Sequence, residues 1–360
     1  MKILWVLSKL TWEGGIGRAV SGAAIQLAKR GHEMHAAGPA PDNRSPEPLL
    51  GVSHHASTRP QLKLGRLRSL FALARVLRPD VIHFHSAVPH GELILGCRLL
   101  RRAWGGSALV VTPHTGSRAG YPKLRSRIGL RAADLVIAPS QWSAGKAVHA
   151  GAPADRTRVV YAGIDTPPVG PAAQRERVIL AMAKFVENKG IDRVIAAFDK
   201  MVRDRPQGSS GWRLEIAGAG REESKLRDLA SRSEAADRIR FLGYLRGEDK
   251  IAALARASIG VVASSVESFG GVLLELQAHG VAVIASNTGG IPELSDGGKA
   301  ARLVPAGDVE ALAAALGEWV ADEPARKLAA ENAHRFGQRF SWGATAEAYE
   351  ALYTALRTAR

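Results

Sequence analysis

Residues 3–38 read ILWVLSKLTWEGGIGRAVSGAAIQLAKRGHEMHAAG. The apolar run at 3–7 has the length and the branched side chains of a buried strand. A loop, TWEGGIGR, follows it, and a helical stretch then runs through Lys29 to Gly31-His32-Glu33, where MHAAG resumes as a second strand. Strand, loop, helix and strand in that order predict a parallel sheet with helices on both faces. The unit repeats outward. A Pro-rich loop (Pro39–Pro48) leads to a basic helix within Arg59–Arg78, then to strands at Asp80–His85, Ala108–Thr112 and Leu135–Ala138. The text TPPVGP at Thr166–Pro171 suits a linker. The pattern restarts with strands at Val178–Ala183, Trp212–Ala217, Ile239–Leu242, Ile259–Ala263, Val281–Ala285 and Ala301–Val304, a helix at Asp192–Val202, and mostly helical sequence from Val309 to Arg360. The expected fold class is therefore α/β, two doubly wound Rossmann-like domains facing a cleft, since ligands in such sheets bind beyond the carboxyl ends of the strands.

Composition narrows the function classes. The 360 residues contain one cysteine, Cys97, which excludes a disulfide framework and a Cys-based zinc site and fits a reducing cytoplasm. No run of eighteen uncharged apolar residues occurs, and MKILWVLS does not read as a signal peptide, so neither a spanning helix nor secretion is expected. The net charge of +15 is unevenly spread: residues 1–170 hold 23 Lys+Arg against 9 Asp+Glu, a balance of +14, whereas residues 171–360 hold 26 against 25. Nucleic acid, an anionic membrane surface or an acidic substrate would each suit such a field, and so would solvated arginines with no partner at all. The leucines interleaved with the cations of Arg59–Arg78 are core positions by default or a lipid-facing stripe.

Several motifs are absent. Gly14-Gly15-Ile16-Gly17-Arg18 opens a helix whose amides suit an anion, or simply makes a tight turn, but its spacing is not the dinucleotide fingerprint. No GxxxxGK[ST], HExxH, Asp-x-Asp or GxSxG occurs. His83, His85, His90 and His114 lie at strand ends, where hydrogen bonding is commoner than metal ligation.

The informative stretch is 264–293, SSVESFGGVLLELQAHGVAVIASNTGGIPE. Gly271 and Glu275 are i and i+4 on one helical face, about 5–6 Å apart. Amides near Gly270, Gly271 and Val272 point out of the helix N-terminus, where the dipole favours phosphate. Glu275, one turn further in, is placed to accept from ribose hydroxyls, and Glu267 to meet whatever is attached beyond the phosphates. The geometry describes a nucleoside diphosphate with a polyhydroxylated tail. The plainer alternative is a capping motif, with Ser268 as cap and Glu275 solvated. Against it, the helix is otherwise apolar, so Glu275 should be buried enough to need a partner.

Glu267-x7-Glu275 with ESFGG between resembles the signature of retaining glycosyltransferases of family 4, which have the GT-B fold. Gly31-His32-Glu33, Asp80–His85, Thr112-Pro113-His114, Ala138-Pro139-Ser140, Gly163-Ile164-Asp165, Lys189-Gly190, Gly218-Ala219-Gly220 and Gly289–Glu293 are similar to that family in order and spacing along nearly the whole chain. The resemblance implies an acceptor-binding domain at 1–166, a nucleotide-sugar-binding domain at 171–340, and a terminal helix at 341–360 that packs back on the first. It implies that Glu275 binds the donor ribose and Glu267 the donor sugar, with Ser268, Phe269, Gly270, Gly271 and Val272 around the diphosphate. Gly218 and Gly15 would line the donor site, Lys189 would neutralise the leaving diphosphate, and His114 would contact the sugar near the reacting carbon. His85 and Arg18 are expected on the acceptor side, and no metal or other cofactor is expected. One position departs: the family usually has Gly-Arg five residues before its lysine, and here Ala183-Lys184 keeps the charge without the planar fork.

The expected chemistry is metal-independent transfer of a hexosyl group from a nucleotide-sugar, with retention. Lys184, Lys189 and the helix terminus stabilise the departing diphosphate, which itself takes the acceptor proton. A double displacement through a carboxylate nucleophile is the less favoured route. The basic half then suits a lipid-linked or cell-envelope glycan acceptor at the inner face of a membrane, with the enzyme cytoplasmic or peripheral. A small soluble acceptor, or a GT-B-fold sugar-nucleotide epimerase, are the rival readings. A nucleic-acid partner is not expected, because no helix-turn-helix, zinc or RNA-binding sheet signature accompanies the charge.

Overall fold

The structure, a computed structural model, describes residues 1–8, 14–39, 48–57, 63–86, 91–114, 123–165 and 175–359. The linker expected at Thr166–Pro171 and His90 lie outside them. The chain divides into two compact units, Met1–Ile164 with Phe340–Arg360, and Asp165–Arg339.

The first unit runs β1 (Lys2–Leu7), α1 (Gly14–Lys29), β2 (Glu33–Pro39), β3 (Val52–Ser57), α2 (Lys63–Leu77), β4 (Val81–Ser86), α3 (Gly91–Leu100), β5 (Ala108–Pro113), α4 (Lys123–Ala132), β6 (Leu135–Ala138), α5 (Gln141–His149) and β7 (Thr157–Val159). All seven strands are parallel, in the order β3-β2-β1-β4-β5-β6-β7. β1 is central, pairing Ile3 with both Met34 and Val81. Its alternation divides the core: Ile3, Trp5 and Leu7 pack under Val20, Ala24 and Leu27 of α1, while Leu4 faces Phe84, Leu109 and Ile94 on the other side. The two edge strands, β3 and β7, escape the sequence reading because each is short, polar and only half covered, so neither shows an apolar run.

The second unit runs β8 (Glu176–Met182), α6 (Ile191–Asp204), β9 (Arg213–Ala217), α7 (Glu223–Ser231), β10 (Ile239–Gly243), α8 (Gly247–Arg256), β11 (Ala257–Val262), α9 (Gly271–Ala278), β12 (Ala282–Asn287), β13 (Arg302–Pro305), α10 (Val309–Ala321) and α11 (Glu323–Gly337). Its six strands are also parallel, ordered β10-β9-β8-β11-β12-β13. Both sheets therefore reverse direction beside their first strand, at β1/β4 and at β8/β11, the crevice position of doubly wound folds.

The last helix, α12 (Trp342–Thr358), belongs to the first unit. Tyr349 and Tyr353 bury against β1 and α1, the Ile164 amide donates to the Phe340 carbonyl (3.0 Å), and Thr345 Oγ1 donates to the Tyr161 carbonyl (2.9 Å). A Cβ at Gly22 would sit 2.1 Å from the Trp342 ring, so α1 admits α12 only because that residue is glycine.

Candidate functional site

In the second unit, three loops at the carboxyl ends of the strands are stitched into one surface. The turn after β8 ends in Glu187–Lys189 and Gly190, whose φ of +69° and close approach to the Ala263 carbonyl (2.2 Å from a built Cβ) require glycine. The Ser265 amide donates to the Asn188 carbonyl (2.9 Å), tying this turn to the segment after β11. That segment is held from the other side: the Gly290 amide donates to the Glu267 carbonyl (3.0 Å), and Gly289, at φ +58°, passes so close that a Cβ would lie 1.8 Å from the same oxygen. Lys189-Gly190 and Gly289-Gly290 are thus the parts that fix the Glu267 backbone.

The side chains follow from that frame. Lys189 Nζ donates to Glu267 Oε2 at 2.5 Å, and Ser264 Oγ donates to the same oxygen at 3.3 Å. Both partners of the pair are largely covered, with 25% and 15% of their side chains exposed. Ser268 and Phe269 lie half-buried on the loop, and Gly270, at φ +107°, turns it into α9 with no side-chain cap. Ser268 is therefore not the cap, and the amides of the first turn are left to other partners. Gly271 opens onto empty space, since a Cβ there would meet nothing within 4 Å, and Val272 is half-buried.

Glu275 lies one turn further along, 22% exposed, with Oε1 accepting from Lys250 Nζ of α8 at 2.6 Å. The sequence demanded a partner for this carboxylate but did not find Lys250. The pair joins residues 25 apart across a strand crossover, so no local spacing signals it. Gly218 is a packing residue: its amide donates to the Gly243 carbonyl (2.7 Å), and a Cβ would lie 1.8 Å from the Ala183 carbonyl. Beside that contact Lys184 is exposed and forms no ion pair among the described residues.

The first unit gathers a different set. Trp5 Nε1 donates to the Tyr353 hydroxyl (3.3 Å), which is hydrogen-bonded to His83 Nδ1 (2.5 Å), and His83 Nε2 is hydrogen-bonded to Thr112 Oγ1 (2.8 Å). Next to His83, His85 places Nδ1 3.2 Å from His114 Nε2, with the two rings stacked. Burial holds His83 and His85 well below the usual imidazole range and His114 down to about 4, so all three are neutral at neutral pH. His85 has no exposed surface, so it lies beneath His114 in this unit. Its Nε2 has no hydrogen-bond partner among the described residues. An orphaned buried N–H is rarer than an orphaned acceptor, which favours the proton on Nδ1, donating to His114. His114 then carries its own proton on Nδ1. Gly15 and Arg18 lie in the first turns of α1, and the Arg18 side chain is outside the described part. No group of three or more His, Cys, Asp or Glu arranged to hold an ion occurs among the described residues.

Comparison with known proteins agrees with this architecture. Residues 13–167 match the family model Glycosyltransferase Family 4, and residues 165–336 match Glycosyl transferases group 1. A D-inositol 3-phosphate glycosyltransferase of Corynebacterium jeikeium is 35% identical over 191 residues, 51% of this chain and 44% of that protein. A GDP-mannose-dependent monoacylated alpha-(1-6)-phosphatidylinositol monomannoside mannosyltransferase of Corynebacterium glutamicum is 31% identical over 301 residues, 75% of each chain. Among solved structures, Anabaena HepE in complex with UDP superposes with a TM-score of 0.80 at 21% identity, over 99% of this chain and 100% of that one. With both halves matched, and two Rossmann-like units of the GT-B type, the chain belongs to the family 4 glycosyltransferases.

Proposed function

We propose that this glycosyltransferase moves a hexosyl group from a nucleoside-diphosphate sugar, with retention and without a metal, to a hydroxyl of a lipid-linked or cell-envelope glycan. The observation that carries the reading is the edge of the second unit. There the Lys189–Glu267 pair, the uncapped start of α9 and Glu275 follow one another in the order of sugar, diphosphate and ribose. Glu275, steadied by Lys250, accepts from the ribose hydroxyls. The first-turn amides of α9 and the open space at Gly271 take the diphosphate. Glu267 accepts from the sugar, and because its other partner is Lys189, one carboxylate orients both the sugar and the cation that meets the leaving group. Lys184, exposed, adds a second positive charge. The departing diphosphate then removes the acceptor proton, so no separate base is called for. His114, neutral and 3.2 Å from His85, is an uncharged polar group at the carboxyl edge of the first unit.

Two relatives support parts of this reading: HepE was crystallised with UDP, and the Corynebacterium glutamicum enzyme is named for GDP-mannose and a phosphatidylinositol mannoside. The balance of +14 over residues 1–170 suits a peripheral enzyme at an anionic, cytoplasmic membrane face. The test is thermal stabilisation by UDP, GDP, ADP and their sugar conjugates. One nucleotide should raise the melting temperature of the protein and fail to do so with Glu275→Ala. A panel in which none does so overturns the donor site.

A further inference from the structure

The first unit carries a cavity of about 250 Å³ at the carboxyl ends of its strands, on the side of the sheet away from α1. It opens where the sheet reverses direction, between the ends of β1 (Leu7) and β4 (Phe84), the crevice in which doubly wound sheets hold their ligands. Its walls are Val6, Leu70, Leu73, Phe84 and Leu93, and no carboxylate, lysine or arginine of the described residues lines it. Polar groups are few. Ser8 and Ser69 are exposed, Ser86 is buried, and His55 is turned toward His35, its Nε2 3.0 Å from His35 Nδ1.

A bare sugar is a poor fit to such a wall. Each ring hydroxyl set against leucine would lose its water and gain no partner. An aliphatic chain loses nothing there and gains about 0.8 kcal/mol of burial per methylene. The helix that contributes Leu70 and Leu73, α2, is basic along its length, with Lys63, Arg66, Arg68 and Arg75 and no acid, and its Arg68 and Arg75 are exposed. The geometry points to a binding site for an aliphatic chain that ends in an anionic phosphate, the lipid part of the acceptor. An apolar cavity of about 150 Å³ holds a six-carbon ring, so this one takes roughly ten carbons. Calling the occupant an acceptor rests on the transferase reading above; the site and its ligand class do not.

Isothermal titration of the full chain with straight-chain alkyl phosphates from butyl to tetradecyl, each below its micelle concentration, tests this directly. Affinity should climb about fourfold per methylene and level off at roughly ten carbons. Octyl phosphate should bind more tightly than octyl glucoside. Leu73→Trp, which fills the cavity, and Ser69→Trp, which blocks it from an exposed helix position and does not burden the core, should each weaken decyl phosphate at least tenfold. Stabilisation by nucleotide, a property of the second unit, should survive both. Affinity that ignores chain length, or that neither variant changes, overturns the proposal, and equal binding of the phosphate and the glucoside overturns its anionic half. Chain-length-dependent binding without any nucleotide response would uphold this site while sinking the donor site.

Discussion

The two carboxyl edges of this molecule share a topology and differ in almost everything else. At the edge of the second unit, charges are concentrated into the pairs Lys189–Glu267 and Lys250–Glu275, set on glycine turns that leave the backbone little freedom. At the edge of the first unit the buried groups are uncharged: three neutral imidazoles and a leucine-walled cavity. Yet it is the first half of the chain that carries the excess of +14, and the second that is nearly balanced. Net charge is a property of solvated faces, such as those of Arg68, Arg75, Arg78 and Arg102, all exposed. Site chemistry is a property of the few residues beyond the strand ends, and the two can point in opposite directions.

The sharpest way to break this contrast is at Gly289. Gly289→Ala must relieve a 1.8 Å approach to the Glu267 carbonyl and also adopt φ +58°, a conformation that costs an L-residue roughly 1–2 kcal/mol by itself. The variant should lose several kelvin of melting temperature and its nucleotide response. Gly271→Ala, with nothing within 4 Å, should keep its stability and weaken only the nucleotide response. Equal behaviour of the two in a melting assay would show that the edge does not depend on its glycine turns.

The neutral imidazoles make a second, smaller difference. His114 is held at about 4 by burial, and His83 and His85 are lowered too, against about 6.5 in the unfolded chain. Between those values the unfolded state binds more protons. Stability is therefore fully present above pH 6.5 and is lost as pH falls toward 4. Hydrogen exchange followed from pH 7 to 4.5 should show β4 and β5 losing protection earlier than β11 and β12. Parallel loss in both units would remove the distinction.

The smallest effect expected is at Lys250. Lys250→Met leaves Glu275 half-buried without its cation and should weaken nucleotide binding about tenfold or less, with Glu275→Gln showing a coupling of about 0.5–3 kcal/mol in a double-mutant cycle. Additive effects would mean that the ion pair is incidental to the site.

Much of this was legible in the residues themselves. The strand Leu135–Ala138 is buried along its whole length and reads as an unbroken apolar run, and the segment around ESFGG announces a helix that begins on glycine. What escaped was either half-covered, as in β3, or non-local, as in Lys250 and in the Tyr353–His83 bond, which spans 270 residues. The burial of His85 escaped for a related reason. A histidine in a strand looks the same from the sequence whether it ends in solvent or, as here, beneath another ring.

The return of α12 to the first unit has a consequence for the making of the protein. Trp5 donates to Tyr353, 348 residues later, and the apolar face of α1 is closed only when Tyr349 and Tyr353 arrive. On a ribosome adding 5–20 residues per second, the strands of the first unit wait roughly 10–40 s for the helix that completes them. The second unit is synthesised whole in that interval. The strands that are born first are thus closed only after the second unit has been made, and through that delay the apolar face of α1 stays uncovered.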